Sequence, residues 1–319
     1  MHQSLRRYIS VSMLLLAVAT SSAQPARADA FPARAITIMT GFSPGGSYDL
    51  MARKLADGMQ QRLGQPVLVT SRPGAGGIVM SQTLGNARPD GYTIGFTTSL
   101  NIVLDAQAGI VPFKADSVQP LASVARFQSV LVAGKDRPYK SFPELIGFTR
   151  KQGYAHFGKQ ALVDELVMRG VMDVDNVEFN LVSYKGGIAV RMAAMTGEVD
   201  LGYVGAGYKP DVDGGKLEIL ATTAPDRIKA FPAVPTLVEL GYPISEESVA
   251  LFMVPRGTPE PIARKLQQVI KEVAQTPEFK AFLENNLTLV AEVHSGDSLQ
   301  TLLDSQTAQW RKILAQTKK

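Results

Sequence analysis

AITIMTGFSPGGSYDLMARKLADGMQQRLGQPVLVTSRPGAGG, residues 35–77, runs twice from a β-rich segment into a glycine-rich tip. AITIMTGF (35–42) reads as a buried strand, and the loop that follows packs three glycines and a proline into GFSPGGSYDL (41–50). Asp49 to Leu63 reads as a helix, because Met51, Leu55, Met59 and Leu63 recur every four residues and Asp49 and Arg53 form an i,i+4 pair. Gly64 ends it, PVLVTSR (66–72) is a second strand, and PGAGG (73–77) is a second glycine loop. A glycine loop that turns a strand into a helix offers backbone N–H groups at the positive end of a helix dipole, which suits a carboxylate, phosphate or sulfate. Neither loop has the Lys-Ser/Thr of a phosphate-binding loop or a G-x-G-x-x-G register, so nucleotide binding is not expected.

Working outward, a short helix is expected over 78–88, and RPDGYTIGFTTS (88–99) supplies a turn and a third strand. Three successive strands thus end in small or polar tips, Ser43 to Ser47, Pro73 to Gly77 and Thr97 to Ser99. Ligands of open α/β sheets sit outside the carboxyl ends of the strands, which makes these tips the first candidate site. VQPLASVARFQSVLVAGKD (118–136) is extended with no helix between its halves and reads as a connection into a second lobe. A second α/β unit follows, with helices over 142–151, 161–171 and 187–196 and strands over 154–158, 177–184, 199–204 and 217–224. SVALFMVP (248–255) reads as the return crossing, LTLVAEV (287–293) as one more strand, and the terminal stripes Ile262 to Val273 and Leu299 to Leu314 as helices. The expectation is an α/β protein of two lobes joined by two extended crossover strands, residues 31–125 plus 250–319 against 126–249, that closes on a ligand as a clamshell.

The 319 residues, 45% hydrophobic and 19% charged, have the composition of a folded globular protein. Arg6 and Arg7 precede the apolar run VSMLLLAVAT (11–20) and the small-residue stretch ARADA (26–30), the three regions of a secretory signal peptide over residues 1–28 with cleavage after Ala28 or Ala30. The apolar run is shorter than the roughly 20 residues of a membrane span. The formal charge of +4 falls nearly to balance once that segment is set aside, because Arg6, Arg7 and Arg27 lie in its first 28 residues and those hold no acid. Nucleic acid is therefore not an expected partner. The chain has no cysteine, which excludes disulfides, thiol nucleophiles and thiolate metal sites.

Catalytic groups are sparse. Beyond the signal segment the histidines are His156 and His294, and no H-x-x-E-H pattern or pair of histidines at metal-ligand spacing occurs. His156 reads as structural or ligand-contacting, and Tyr184 and Tyr203 as core or ligand-stacking aromatics. Asp173 and Asp175, like Asp211 and Asp213, do not continue into a calcium loop and read as solvated turns. No catalytic residue, metal or cofactor is assigned.

The ordered motifs P-G-G-S-Y-D-L-M-A-R (44–53), L-G-Q-P-V (63–67), R-P-G-A-G-G (72–77) and P-D-G-Y-T (89–93), with VSYKGGIAVRMAAMTGEVDLGYV (182–204), FPAVPTLVELGYP (231–243) and VPRGTPEPIARKL (254–266), resemble the Bug-type receptors of tripartite tricarboxylate transporters over essentially the whole exported chain. The resemblance implies a type II periplasmic-binding-protein fold, a periplasmic location and a small carboxylated ligand held mainly by backbone amides and hydroxyls. It implies ligand contacts from Phe42, Ser43, Pro44, Gly45, Gly46 and Ser47, from Ala75, Gly76 and Gly77, and from Thr97, Thr98 and Ser99. From the second lobe it implies Gly158, Lys159, Tyr184, Lys185 and Gly186. Lys159 stands where the family commonly has a small hydroxyl residue. Val204 stands where amino-acid-binding members carry Asp, which argues for a plain organic acid, aromatic acid or amide over an amino acid. The implied partners are that ligand and inner-membrane transporter subunits, with the receptor a monomer. A co-receptor for a membrane sensor kinase is the alternative use of the fold, and an exported enzyme on a carboxylated substrate the alternative of another class.

Overall fold

The computed structural model describes residues 31–112 and 114–317. The expected signal peptide and its cleavage site lie outside the described residues. From Arg34 onward the chain is one compact unit built on two five-stranded sheets. In the first, β1 (Ile36–Thr40) lies between β2 (Val67–Ser71) and β3 (Thr93–Thr98), parallel to both. The helix α1 (Ser47–Leu63) joins β1 to β2, burying the expected stripe Met51, Leu55, Met59 and Leu63, and ends on a left-handed Gly64. The helix α2 (Ile78–Gly85) joins β2 to β3. After β3 come a wide helical turn over Asn101–Asp105, the short α3 (Ala106–Ala108), and β4 (Val118–Arg126).

The second sheet takes the next strands: β5 (Val130–Gly134), then α4 (Phe142–Gln152), β6 (Ala155–Lys159), α5 (Leu162–Asp175), β7 (Phe179–Ser183), α6 (Gly187–Thr196), β8 (Leu201–Val204), α7 (Lys209–Asp213) and β9 (Leu217–Thr222). The chain then returns as β10 (Val249–Pro255), which inserts antiparallel between β3 and β4. All seven β10 residues are buried, as a run apolar on both faces requires, and Phe252 stacks on Phe96 with centroids 4.3 Å apart. The helices α8 (Glu260–Ala274), α9 (Pro277–Phe282) and α10 (Asp297–Thr317) complete the chain. The strand orders are β2-β1-β3-β10-β4 and β7-β6-β8-β5-β9, one pattern used twice.

The two crossings, 127–129 and 223–248, run side by side. The Phe127 N–H donates to Ser248 O at 2.9 Å and the Thr223 N–H to Ser129 O at 3.0 Å. The Ser129 carbonyl also accepts the hydroxyls of Thr222 and Thr223. Two expectations differ from the structure. The helix after β6 continues past residue 171 to Asp175, where Asn176 at φ 50° turns the chain out of it. Residues 287–293 do not form a strand. Thr288, at φ 57°, closes a wide helical turn over Leu283–Leu287. Beyond it Val290 bridges Arg126 and Ser295 bridges Ala122, with five steps on one side against four on the other, and these contacts remain isolated bridges.

Candidate functional site

The loop after β1 is closed by its own hydrogen bonds. Gly45, at φ 77°, donates its N–H to Asp49 Oδ2 at 3.0 Å, and the Gly46 N–H reaches Ser43 O at 3.2 Å. These two amides are therefore engaged within the loop, and the donors left for a ligand come from the first turn of α1. Gly46 is the N-cap and supplies no side chain, and helix geometry leaves the Ser47 and Tyr48 N–H groups without an intrahelical acceptor. Asp49 is buried and paired with Arg53 through two hydrogen bonds of 2.9 and 3.1 Å. Burial alone would raise its carboxyl, but the bonds from Arg53 and Gly45 overcome this and hold it below the usual range.

The second glycine loop is fixed by a residue that the motifs do not mark. Asn101, fully buried, donates to Gly76 O at 3.1 Å and accepts the Thr97 hydroxyl at 2.9 Å and the Ser81 hydroxyl at 3.2 Å. It ties the loop to the tip of β3. At Gly77 a Cβ would collide with Thr97 Oγ1, so the loop needs glycine there for close approach as well as for its φ of 101°.

The facing edge belongs to the second sheet. The N-cap of α5 is Ala161 and that of α6 is Gly186, and neither has a side-chain cap bond. Three helix N-termini, of α1, α5 and α6, thus reach one cavity of about 240 Å³ between the sheets. The sheets are close there: a Cβ placed on Gly76 would lie 3.3 Å from Ala161 Cβ, and the Gly207 N–H donates to Leu287 O at 3.0 Å. Of the expected site residues, Phe42, Ser43, Gly45, Gly46, Ser47, Gly76, Thr98, Lys185 and Gly186 lie on the cavity wall. The structure places Pro44, Ala75, Gly77, Thr97, Ser99, Gly158, Lys159, Tyr184 and Val204 off it.

Local bonding explains much of that second group. Ser99 donates to Gln306 at 2.9 Å, Lys159 pairs with Glu165 at 2.8 Å, and Tyr184 donates to Glu198 at 2.8 Å. Val204 is buried in a cluster with Val130 and Val190, and the β8 residue facing the cavity is its neighbour Tyr203. Neither His156 nor His294 is on the wall; His156 packs on Tyr154 and His294 bonds Glu292. Among the described residues no group of three or more acidic or histidine side chains is placed to hold a metal ion.

Four wall residues escape the motif reading and set the electrostatics. Tyr48 is buried, stacked on Phe42 at 4.3 Å and Phe127 at 5.3 Å, and its hydroxyl makes no hydrogen bond. Asp105 is pushed up to about 6 by burial, opposed by its bond from Asn101. Asp164 accepts the N–H groups of Gln160 and Ala161 at 2.7 and 3.2 Å, yet burial pushes it to about 7. Glu246, in the second crossing, is also raised by burial. Only the last had a readable sign: Tyr242, Ile244, Glu246 and Ser248 alternate, and all four are buried.

The family described as the tripartite tricarboxylate transporter family receptor, TctC, matches residues 51–318. A UPF0065 protein of Bordetella pertussis is 34% identical over 296 residues, covering 88% of this chain and 87% of that one. Protein BugT of the same species is 31% identical, with 98% of each chain covered. Among solved structures, MatC of Rhodopseudomonas palustris with bound malate is 22% identical at a TM-score of 0.79, covering 89% of this chain and 99% of that one. A second R. palustris protein, with adipate, is 24% identical at 0.82, covering 89% and 97%. The periplasmic binding protein BugD is 23% identical at 0.79, covering 90% and 98%. The fold is that of the two-lobed periplasmic binding proteins, and the chain belongs to the tripartite tricarboxylate transporter receptor family of solute-binding proteins.

Proposed function

We propose that this protein is a periplasmic receptor that captures a small carboxylated metabolite between its lobes, 31–125 plus 250–319 against 126–249, and delivers it to the membrane subunits of a tripartite tricarboxylate-type transporter. The observation that carries this reading is the convergence on one cavity of three helix N-termini whose N-cap residues supply no side-chain bond, with Asp164 taking the Gln160 and Ala161 N–H groups at α5. Aligned N–H donors in an enclosed site hold a carboxylate without a counter-ion. Malate and adipate, in two proteins of the same fold, give the size range from which a ligand search starts. No turnover is assigned, since neither histidine reaches the wall.

Native mass spectrometry of protein freshly prepared from the periplasm, followed by release of its small molecule, tests this directly. One organic acid per chain is the expected result. In Gly46→Asp the φ of −74° tolerates the side chain, which contacts Ser43 O closely and places a carboxylate at the head of α1. Affinity for any acid that binds wild type should fall by at least about a hundredfold with the fold retained. Unchanged affinity by calorimetry would remove the α1 terminus from the site.

A further inference from the structure

Five acidic side chains are buried among the described residues: Asp49, Asp105, Asp164, Asp200 and Glu246. Four have conventional partners. Asp49 has Arg53, Asp200 has Arg137 at 2.9 Å, Asp164 has two backbone N–H groups, and Asp105 has the Asn101 amide. Glu246 has neither a cation nor a backbone donor. Its Oε2 accepts the Tyr203 hydroxyl at 3.0 Å and the Ser129 and Ser248 hydroxyls lie close enough to favour its charged form, but no donor reaches bonding geometry on the buried Oε1. A carboxylate oxygen left this way is costly unless something outside the chain completes it.

The surroundings indicate what would complete it. Glu246 lines the cavity where the two crossings meet, with Ser129, Ser248 and Tyr203 beside it. The unpartnered Tyr48 hydroxyl lies on the same wall, near enough to feel the Glu246 charge. Of the wall's cations, Arg191 is engaged by Asp211 at 3.1 Å, and Lys185 is exposed at the rim. Carboxyl groups therefore outnumber available cations around the buried part of the cavity. A second ligand carboxylate placed against Glu246 would meet like charge in a desolvated site, whereas a protonated nitrogen would satisfy Oε1.

We infer that the ligand is a small zwitterion, with its carboxylate at the helix N-termini and a cationic nitrogen donating to Glu246. The inference rests on the receptor reading above and specifies its substrate class. It reverses the expectation drawn from Val204: the acidic group that meets the nitrogen comes from the crossing and not from β8.

Matched pairs of compounds test it by calorimetry on the exported chain: succinate against 4-aminobutanoate, and adipate against 6-aminohexanoate. Each pair exchanges one carboxylate for an ammonium on a similar framework. The wild type should bind the amino acid of at least one pair about tenfold or more tightly than its diacid. Glu246→Gln, which keeps an acceptor for Tyr203, should abolish or invert that preference while still binding carboxylates. Diacids bound as well as or better than the amino acids by wild type would overturn the inference and leave the receptor reading intact, without recourse to a variant. A preference unchanged in Glu246→Gln would also overturn it. If no acid of either kind binds and none is released from the native protein, both readings fall together.

Discussion

The loops after β1 and after β6 occupy the same place in two sheets of the same strand order, and both are closed by the same device. In each, an aspartate in the first turn of the next helix accepts a backbone N–H four residues back, Asp49 from Gly45 and Asp164 from Gln160. One further residue separates them. Asp49 has Arg53 at i+4, whereas the position four beyond Asp164 is the buried Met168. Lys159, the nearby cation of the second loop, pairs with Glu165 instead. The first carboxyl is therefore held below its ordinary range and the second is pushed up to about 7. An identical backbone closure is a fixed charge in one lobe and a titrating group in the other, because Asp164 is more deeply buried and has no cation at i+4 to offset that burial.

Paired substitutions would break or sharpen that contrast most strongly. Asp49→Asn removes a charge that Arg53 and Gly45 stabilise, and should lower the unfolding free energy at pH 7.5 by about 2 kcal/mol. Asp164→Asn removes a charge that burial opposes, and should change it by less than about 1 kcal/mol or raise it. Equal losses in urea titrations of the two variants would end the comparison. The pH dependence comes next. A carboxyl raised in the folded state contributes stability that is full below its unfolded value of 3.8 and is lost as pH rises through its folded value. Asp164 alone should make the ligand-free protein roughly 2 kcal/mol more stable at pH 5 than at pH 8, with Asp105 adding to this. Asp164→Asn should flatten the curve, and an unchanged curve would assign the titration elsewhere. The smallest effect is expected where the loops approach each other. Ala161→Phe would press on the Gly76 loop and should weaken ligand binding about tenfold with little change in melting temperature.

The architecture was legible because its signals are periodic or punctuated. The stripe in α1, the fully apolar β10 and the left-handed Gly64 each follow from residue types at fixed spacing. The glycine loops could be located, but not which amides they leave open, since that depends on Gly45 and Gly46 bonding within their own turn. Asn101 was invisible because its partners, Gly76 and Thr97, come from other elements, and Asp105 because it is held by Asn101. The strand expected over 287–293 follows from β-rich composition, but Thr288 turns the chain at φ 57° and only isolated bridges to β4 follow. Glu246 lay between a polar neighbour on each side in ISEES (244–248). The alternation that buries it emerges only when Tyr242 and Ile244 are taken as its inward-facing companions.

Ser129 O, accepting from both Thr222 and Thr223, lashes the two crossings into a single strap, and Glu246 hangs from it through its N–H bond to Thr223 O at 2.7 Å. A point on a rotation axis travels little while the tips of the rotating bodies travel far. If the lobes of the proposed receptor swing about this strap, Glu246 holds its position through the stroke, and the helix ends at the tips arrive last. Discrimination then acts on encounter: a solute of the wrong charge is turned away from the open form, and the residence time of the right one is set by the reopening rate.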